Sequence, residues 1–251
     1  FGKPRNTWLP SRHTAADLER VVAYCSEHYF SQPNYRRVEG RLYFSFFRAA
    51  HLVKELGGPS ATHRIFETLD RRLAKDGLPG MHWSGMVYTA EEAALLAEAG
   101  FSSTGSYNVN SAGKAGPECT ESYEDVMQAH RARWAALAAG PLPYTPVVSM
   151  GWDVTPRCQP DIPWPLPPEA RAYPYLPVVV GNTPARFKQL LGDAARQLAA
   201  DPNNPATVLL YAWNEWTEGA YLLPEARTGT AYLEAVREVF GVRQGPVKKV
   251  S

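Results

Sequence analysis

Two glutamates three residues apart, Glu215 and Glu218, lie in the run Trp213-Asn214-Glu215-Trp216-Thr217-Glu218-Gly219. Chemistry on a glycosidic bond needs two carboxyl groups flanking that bond, one able to donate a proton while the other stays ionised. Glutamates at this spacing are ordinarily one solvated face. Here Trp213 and Trp216 flank them and Asn214 stands between, which reverses that weighting. Indole rings pack on the apolar C–H faces of a pyranose, while carboxylate and amide groups take its hydroxyls. Side chains three apart on a straight strand point to opposite faces, so both carboxyls reach one cleft only if the chain turns after Trp213. Gly219 suits such a turn.

In parallel α/β folds the reacting residues sit at the C-terminal ends of strands, so the residues just after each apolar run are the ones to inspect. These are Tyr107 and Asn108, then Trp152, Asp153, Thr155 and Arg157, then Asn214, Glu215, Trp216 and Glu218. Asp153 and Arg157, four apart, read equally well as a structural ion pair and as a sugar-binding pair. Tyr107 reads either as a sugar contact or as the cover of a barrel end. His82 and Trp83 read as packing and hydrogen-bonded residues rather than catalysts.

The elements that must carry these residues follow from the alternation of strand-like and helix-like runs. Strands are expected at Arg41–Phe47, Leu78–Trp83, Phe101–Tyr107, Thr145–Trp152 and Thr207–Trp213. Helices are expected at Ala15–His28, Thr62–Ala74, from Thr89 to about Gly100, at Tyr123–Ala138, from Pro184 to Ala200 and at Thr230–Phe240. Thr89 is expected to cap its helix with Glu92 completing a capping box, and Asn182-Thr183-Pro184 to open the next after a Pro-rich connection from Pro156 to Pro177. Strands each followed by a helix pair in parallel through right-handed crossovers. With no GxGxxG turn and no Walker sequence, a (β/α)8 TIM-type barrel is favoured over a nucleotide-binding open sheet.

Composition excludes several classes. With 45% hydrophobic and 20% charged residues over 251 positions, the chain is globular. Its 26 basic and 25 acidic residues are interleaved, so neither nucleic acid nor an anionic membrane is indicated as a partner. No apolar run approaches the roughly 20 residues of a membrane span. Cys25, Cys119 and Cys158 form no ligand pattern and read as small buried hydrophobes, and the six histidines are scattered, so no metal and no cofactor are expected.

Trp213-Asn214-Glu215-Trp216-Thr217-Glu218-Gly219-Ala220-Tyr221-Leu222, followed by Gly229 and Tyr232-Leu233-Glu234-Ala235, resembles the C-terminal signature of the glycoside hydrolase family 99-like group, which includes WbsX-like glycosyltransferases of bacterial polysaccharide clusters. Gly151-Trp152-Asp153-Val154-Thr155-Pro156-Arg157 is similar to its preceding motif, and Asn182-Thr183-Pro184 with Phe187 to the helix opening between them. Weaker similarity reaches back to Asn34-Tyr35 and Val38-Glu39-Gly40-Arg41. Thr217 stands where characterised hydrolases of the group tend to have histidine, and Leu223 where relatives often have an acidic residue.

The resemblance implies a metal-independent (β/α)8 barrel that cleaves α-linked mannose polymers with retention. It implies Glu215 as the base for the sugar 2-hydroxyl, giving a 1,2-anhydro intermediate, and Glu218 as the acid/base for leaving group and water. The expectation is therefore a carbohydrate-active enzyme, a retaining glycosidase on an α-linked oligo- or polysaccharide, with Tyr107, Trp152, Asp153, Arg157, Trp213, Asn214 and Trp216 binding substrate. The rivals are glycosyl transfer in surface-polysaccharide assembly and a non-catalytic sugar-binding fragment. Only five of the eight strands of such a barrel are found, so residues 1–241 are expected to be its C-terminal portion, the first three strands lying upstream, with 242–251 a polar disordered tail.

Overall fold

The computed structural model describes residues 13–201 and 204–241. The polar tail beyond residue 241 lies outside the described residues. The chain divides into two compact units, Phe1–Thr104 with Gly140–Leu142, and Gly105–Ala139 with Pro143–Ser251.

In the first unit, helix α1 (Ala15–His28) begins in a capping box, with the Thr14 side chain accepting from the Asp17 backbone and Asp17 reaching back. The short strand β1 (Arg37–Val38) pairs antiparallel with β2 (Arg41–Phe46), and β2 pairs in parallel with β3 (Met81–Met86). Strand β4 (Ser103–Gly105) follows in the order β1-β2-β3-β4, and the boundary between the units falls within it. Helices α2 (Ala49–Glu55), α3 (Pro59–Lys75) and α4 (Ala90–Glu98) cover these strands. The core is aromatic. Phe66 stacks on Trp83 with ring centroids 4.4 Å apart, and Phe46 and Phe101 close around them. Such pairs add about 0.5–1.5 kcal/mol beyond the area they bury.

The second unit is built on two parallel strand pairs, β5 (Thr120–Ser122) with β8 (Val178–Val180) and β7 (Val147–Ser149) with β9 (Leu209–Tyr211). Strand β6 (Tyr144–Thr145) precedes β7, with Pro146 interrupting the run between them. A small antiparallel pair, β10 (Asn214–Glu215) with β11 (Ala220–Tyr221), follows β9. Helices α5 (Tyr123–Ala138) and α6 (Pro184–Ala200) pack beside these strands, and α7 (Ala231–Phe240) packs on α6. Helix α5 is bonded directly to β7: Trp134 Nε1 donates to the Val147 carbonyl at 3.0 Å, Tyr123 Oη to the Ser149 carbonyl at 2.8 Å, and the Ser149 N–H to His130 Nε2 at 3.1 Å. These bonds hold the strand that leads into Gly151-Trp152-Asp153.

Several sequence expectations need correction. The second strand starts at Met81, not Leu78, because Pro79 has no N–H and Gly80 adds no side chain to pack. Phe101–Tyr107 contracts to Ser103–Gly105, Thr145–Trp152 breaks at Pro146 and ends at Ser149, and Thr207–Trp213 contracts to Leu209–Tyr211. The expectation of five parallel strands is too simple, since Val178–Val180 is a further parallel strand inside what reads as a connection, and β1/β2 and β10/β11 are antiparallel. A three-valine run is short enough for a prolyl loop to hide it. Helix α2 was not foreseen. At α4, Thr89 caps as expected, but the Glu92 carboxylate takes the Tyr88 N–H at 2.7 Å, so no capping box closes on Thr89. Cys119 is buried, whereas Cys25 and Cys158 are only partly so.

Two buried histidines make stability depend on pH. Burial, with Arg41 and Arg36 adding to it, pushes His82 from 6.5 down to about 4, and burial likewise pushes His130 to about 4, with Arg133 and Arg131 nearby. Both are neutral in the fold, and His130 is fixed in one tautomer because Nε2 accepts from Ser149 and Nδ1 donates to the Val126 carbonyl. Between about pH 6.5 and 4 the unfolded chain therefore binds more protons than the folded one. Stability should be fully present above that window and fall through it as pH drops. Urea midpoints measured from pH 7 to 4 should fall less steeply in His130→Gln than in the wild type; parallel slopes would show that His130 does not contribute.

Candidate active site

Strand β7 runs into Gly151-Trp152-Asp153, and β9 runs into Trp213-Asn214-Glu215, so the parallel pairing of β7 with β9 delivers both motifs to the same end. Beyond β10 the chain makes a 3-10 turn at Trp216–Glu218, passes through Gly219 at φ +63°, and returns as β11. This turn brings Glu218 back beside Glu215. The two motifs interlock through their backbones, since the Asp153 N–H donates to the Glu218 carbonyl at 2.8 Å. A Cβ at Gly219 would meet the Asp153 backbone nitrogen at 2.8 Å, and one at Gly151 would lie 2.5 Å from Asn182 Nδ2 and 3.1 Å from the Gly219 carbonyl. Only glycine permits that approach.

Arg157, at the end of a 3-10 turn over Thr155–Arg157, reaches both glutamates. Its Nη2 donates to Glu215 Oε1 at 2.6 Å and its Nη1 to Glu218 Oε1 at 2.5 Å, while Nε donates to Thr217 Oγ1 at 2.8 Å. Thr217 Oγ1 in turn donates to Glu215 at 3.2 Å. The alternative of an Asp153–Arg157 ion pair is therefore not the one formed. Asp153 Oδ1 instead accepts from the Thr155 N–H at 3.0 Å and the Thr155 hydroxyl at 2.6 Å, and so shapes the turn that carries Arg157.

Glu218 is buried and Glu215 half-exposed. The carboxylate of Glu218 accepts hydrogen bonds from Tyr173 Oη at 2.9 Å and from Tyr211 Oη as well as from Arg157. Burial raises the Tyr211 phenol well above its ordinary range, and its bond to Glu218 raises it further, so this hydroxyl keeps its proton. Tyr107 and Trp152 flank the same ring, with centroids 5.0 and 6.3 Å from it. Burial followed by the Glu218 and Glu215 charges raises the Tyr107 phenol as well.

The expected site residues are thus distributed unevenly. Glu215, Glu218 and Arg157 are in direct contact, and Tyr107 and Trp152 join them through Tyr211. Asp153 is tied in mainly by its backbone. Trp213 and Trp216 present 55% and 44% of their surface to solvent, enough for a ring to stack on a ligand, and Trp216 rests on Tyr221 with centroids 4.0 Å apart. Asn214 is exposed and paired with Tyr221 in the β10/β11 ladder. Tyr211 and Tyr173 were missed. Tyr211 lies inside the expected strand Thr207–Trp213, two residues before Trp213, and is legible there as the phenol nearest the site, whereas Tyr173 lies in a prolyl loop that offers no periodicity. Among the described residues no three His, Cys, Asp or Glu side chains gather as metal ligands, and no helix is long and apolar enough to cross a membrane.

The family model described as "Glycosyltransferase WbsX" matches residues 1–236. The chain belongs to this WbsX glycosyltransferase family. A curated relative, "Uncharacterized protein WxcX" of Xanthomonas campestris pv. campestris strain B100, is 35% identical over 94 residues, which is 37% of this chain and 12% of that protein. Among solved structures, a "Glycoside hydrolase-like protein" superposes with a TM-score of 0.60 at 15% identity, covering 91% of this chain and 61% of that one. The GH99 endo-alpha-mannosidase of Bacteroides thetaiotaomicron superposes with a TM-score of 0.58 at 13% identity over 92% of this chain and 64% of that one. The WbsX chain therefore has a TIM-barrel-like fold and spans about an eighth of the curated relative and just under two thirds of the solved structures it resembles.

Proposed function

We propose that this WbsX-family chain carries the acid/base pair of a carbohydrate-active enzyme that cleaves an α-linked, mannose-like oligo- or polysaccharide with retention. One observation carries the reading: Glu215 and Glu218 bind a single guanidinium beside two exposed tryptophans at the end of β9. On this reading Glu215 takes the proton of the sugar 2-hydroxyl as its oxygen closes on the anomeric carbon, and Glu218 protonates the departing glycosidic oxygen. Glu218 then takes a proton from the incoming water, which opens the 1,2-anhydro ring, and Glu215 returns the proton to the 2-oxygen. The half-exposed Glu215 is reachable by a sugar hydroxyl. Tyr211, Tyr173 and Arg157 all donate to the Glu218 carboxyl, so Glu218 takes up the proton it delivers to the leaving group only as one of these bonds reorganises.

The family's name favours a second reading, transfer in surface-polysaccharide assembly, in which an acceptor hydroxyl replaces water in the last step. Incubation with α-linked manno-oligosaccharides, with and without an added acceptor, separates the two. Hydrolysis yields new reducing ends in step with substrate loss, and transfer yields a longer product with few. No change in any α-linked donor would sink both readings. The aromatic surface supplies a further expectation. Trp213→Ala should weaken binding of a thio-linked manno-oligosaccharide roughly tenfold, about 1.4 kcal/mol, by calorimetric titration. Since Trp213 is exposed, the fold should not change, and unaltered affinity would remove it from the binding surface.

A further inference from the structure

Arg157 has the geometry of a bridge. Four of the five N–H groups of a guanidinium are already engaged within the protein, on Glu215, Glu218, Tyr173 and Thr217. Its two terminal nitrogens go to different carboxylates rather than bidentately to one, and Nε reaches Thr217, which itself donates to Glu215. The root of the side chain is equally constrained. Asp153 caps the turn that bears it, the Arg157 N–H donates to the Val154 carbonyl at 2.9 Å, and the Asp153 N–H ties that turn to the Glu218 carbonyl. A planar fork rooted in one motif therefore spans both carboxyls of the other. Lysine carries a point charge on a flexible stem and cannot span two acceptors in this way.

We propose that Arg157 is a positioning residue, whose guanidinium sets the spacing and orientation of the Glu215 and Glu218 carboxyls as a pair, rather than a binder of sugar hydroxyls. The proposal rests on these two glutamates being the working pair. Without a cation between them, two adjacent carboxylates repel, and Glu215, on a half-exposed hairpin, is the one free to turn to solvent. The proposed route needs both carboxyls aimed at one glycosidic linkage at once, so a rotation of this kind costs turnover even when the sugar still binds.

The test uses the guanidinium ion itself as probe. In Arg157→Ala, calorimetry with millimolar guanidinium chloride, against sodium chloride at equal ionic strength, should show one site. That site should be weakened roughly tenfold or more by adding Glu218→Gln, since charge-assisted bonds to a carboxylate are the strong ones. A crystal structure of Arg157→Ala should show Glu215 turned away, and guanidinium soaked into the crystal should bring it back. Where turnover is measurable, Arg157→Ala should lose kcat with KM little changed, and guanidinium should restore kcat. Arg157→Lys serves should the alanine variant not fold, and its ammonium should contact only one glutamate. Glutamates that keep their wild-type placement in Arg157→Ala without the ion, or guanidinium uptake indifferent to Glu218→Gln, would overturn the proposal. So would a loss confined to KM. Absence of turnover in the wild type counts against the proposed reaction alone, because uptake of the ion and the two crystal structures are read without any activity.

Discussion

Glu215→Gln and Glu218→Gln are each expected to lower turnover by about 10²–10⁴-fold, because the amide keeps the shape of the side chain and cannot transfer the proton. The two should differ in stability. Glu215 is half-exposed and, among the described residues, hydrogen-bonds to Arg157 and Thr217, so its amide should melt within a degree or two of the wild type (~0.5 kcal/mol). Glu218 is buried and accepts from Tyr211, Tyr173 and Arg157, and a glutamine offers one acceptor oxygen where the carboxylate offered two. Its substitution should cost about 1–3 kcal/mol, the price of a buried donor left without its partner. Reducing-end assays on α-linked manno-oligosaccharides, paired with thermal melts, would test both statements. Wild-type rates in either variant would eliminate that glutamate from the pair.

Gly219→Ala is expected to damage fold and site together. The residue sits at φ +63°, where a side chain costs on the order of 1–3 kcal/mol, and its new Cβ would collide with Asp153 Cβ and N at 2.8 Å. Backbone atoms cannot move aside as a flexible side-chain tip can. Relief would pull the 3-10 turn away from Asp153, breaking the bond between the Asp153 N–H and the Glu218 carbonyl and displacing the Glu218 side chain. Turnover should therefore fall at least as far as in Glu218→Gln, and the urea midpoint should drop. A fully stable, fully active Gly219→Ala would mean that the two motifs need not interlock.

Legibility in the sequence tracked how local the cause was. The helices α1, α5 and α6 were readable almost to the residue, because caps and apolar spacing act within one turn: Thr183 accepts the Arg186 N–H with Pro184 in the first turn, and Ser122 caps α5 through Asp125. Strand ends were misplaced where a proline cut an apolar run, as at Pro146, and β8 escaped because a three-residue strand needs its partner Thr120–Ser122 to exist at all. Pairing energy is supplied by residues distant in sequence, so no local pattern announces it.

The sequence by itself determined that two carboxyls stand three apart among aromatic residues, that a glycine follows them, and that these sit at the end of an apolar run in an α/β chain. Those are matters of residue type and spacing. Tertiary structure alone decided that Arg157 turns to Glu215 and Glu218 rather than to Asp153 four residues away, and that Tyr211 and Tyr173 reach Glu218. Arg157 and Glu218 are 61 positions apart in the chain, and Tyr173 and Glu218 are 45. At such separations the choice of partner depends on how β7 and β9 pair and how closely Gly151 and Gly219 let their loops approach, not on the nearest opposite charge along the chain.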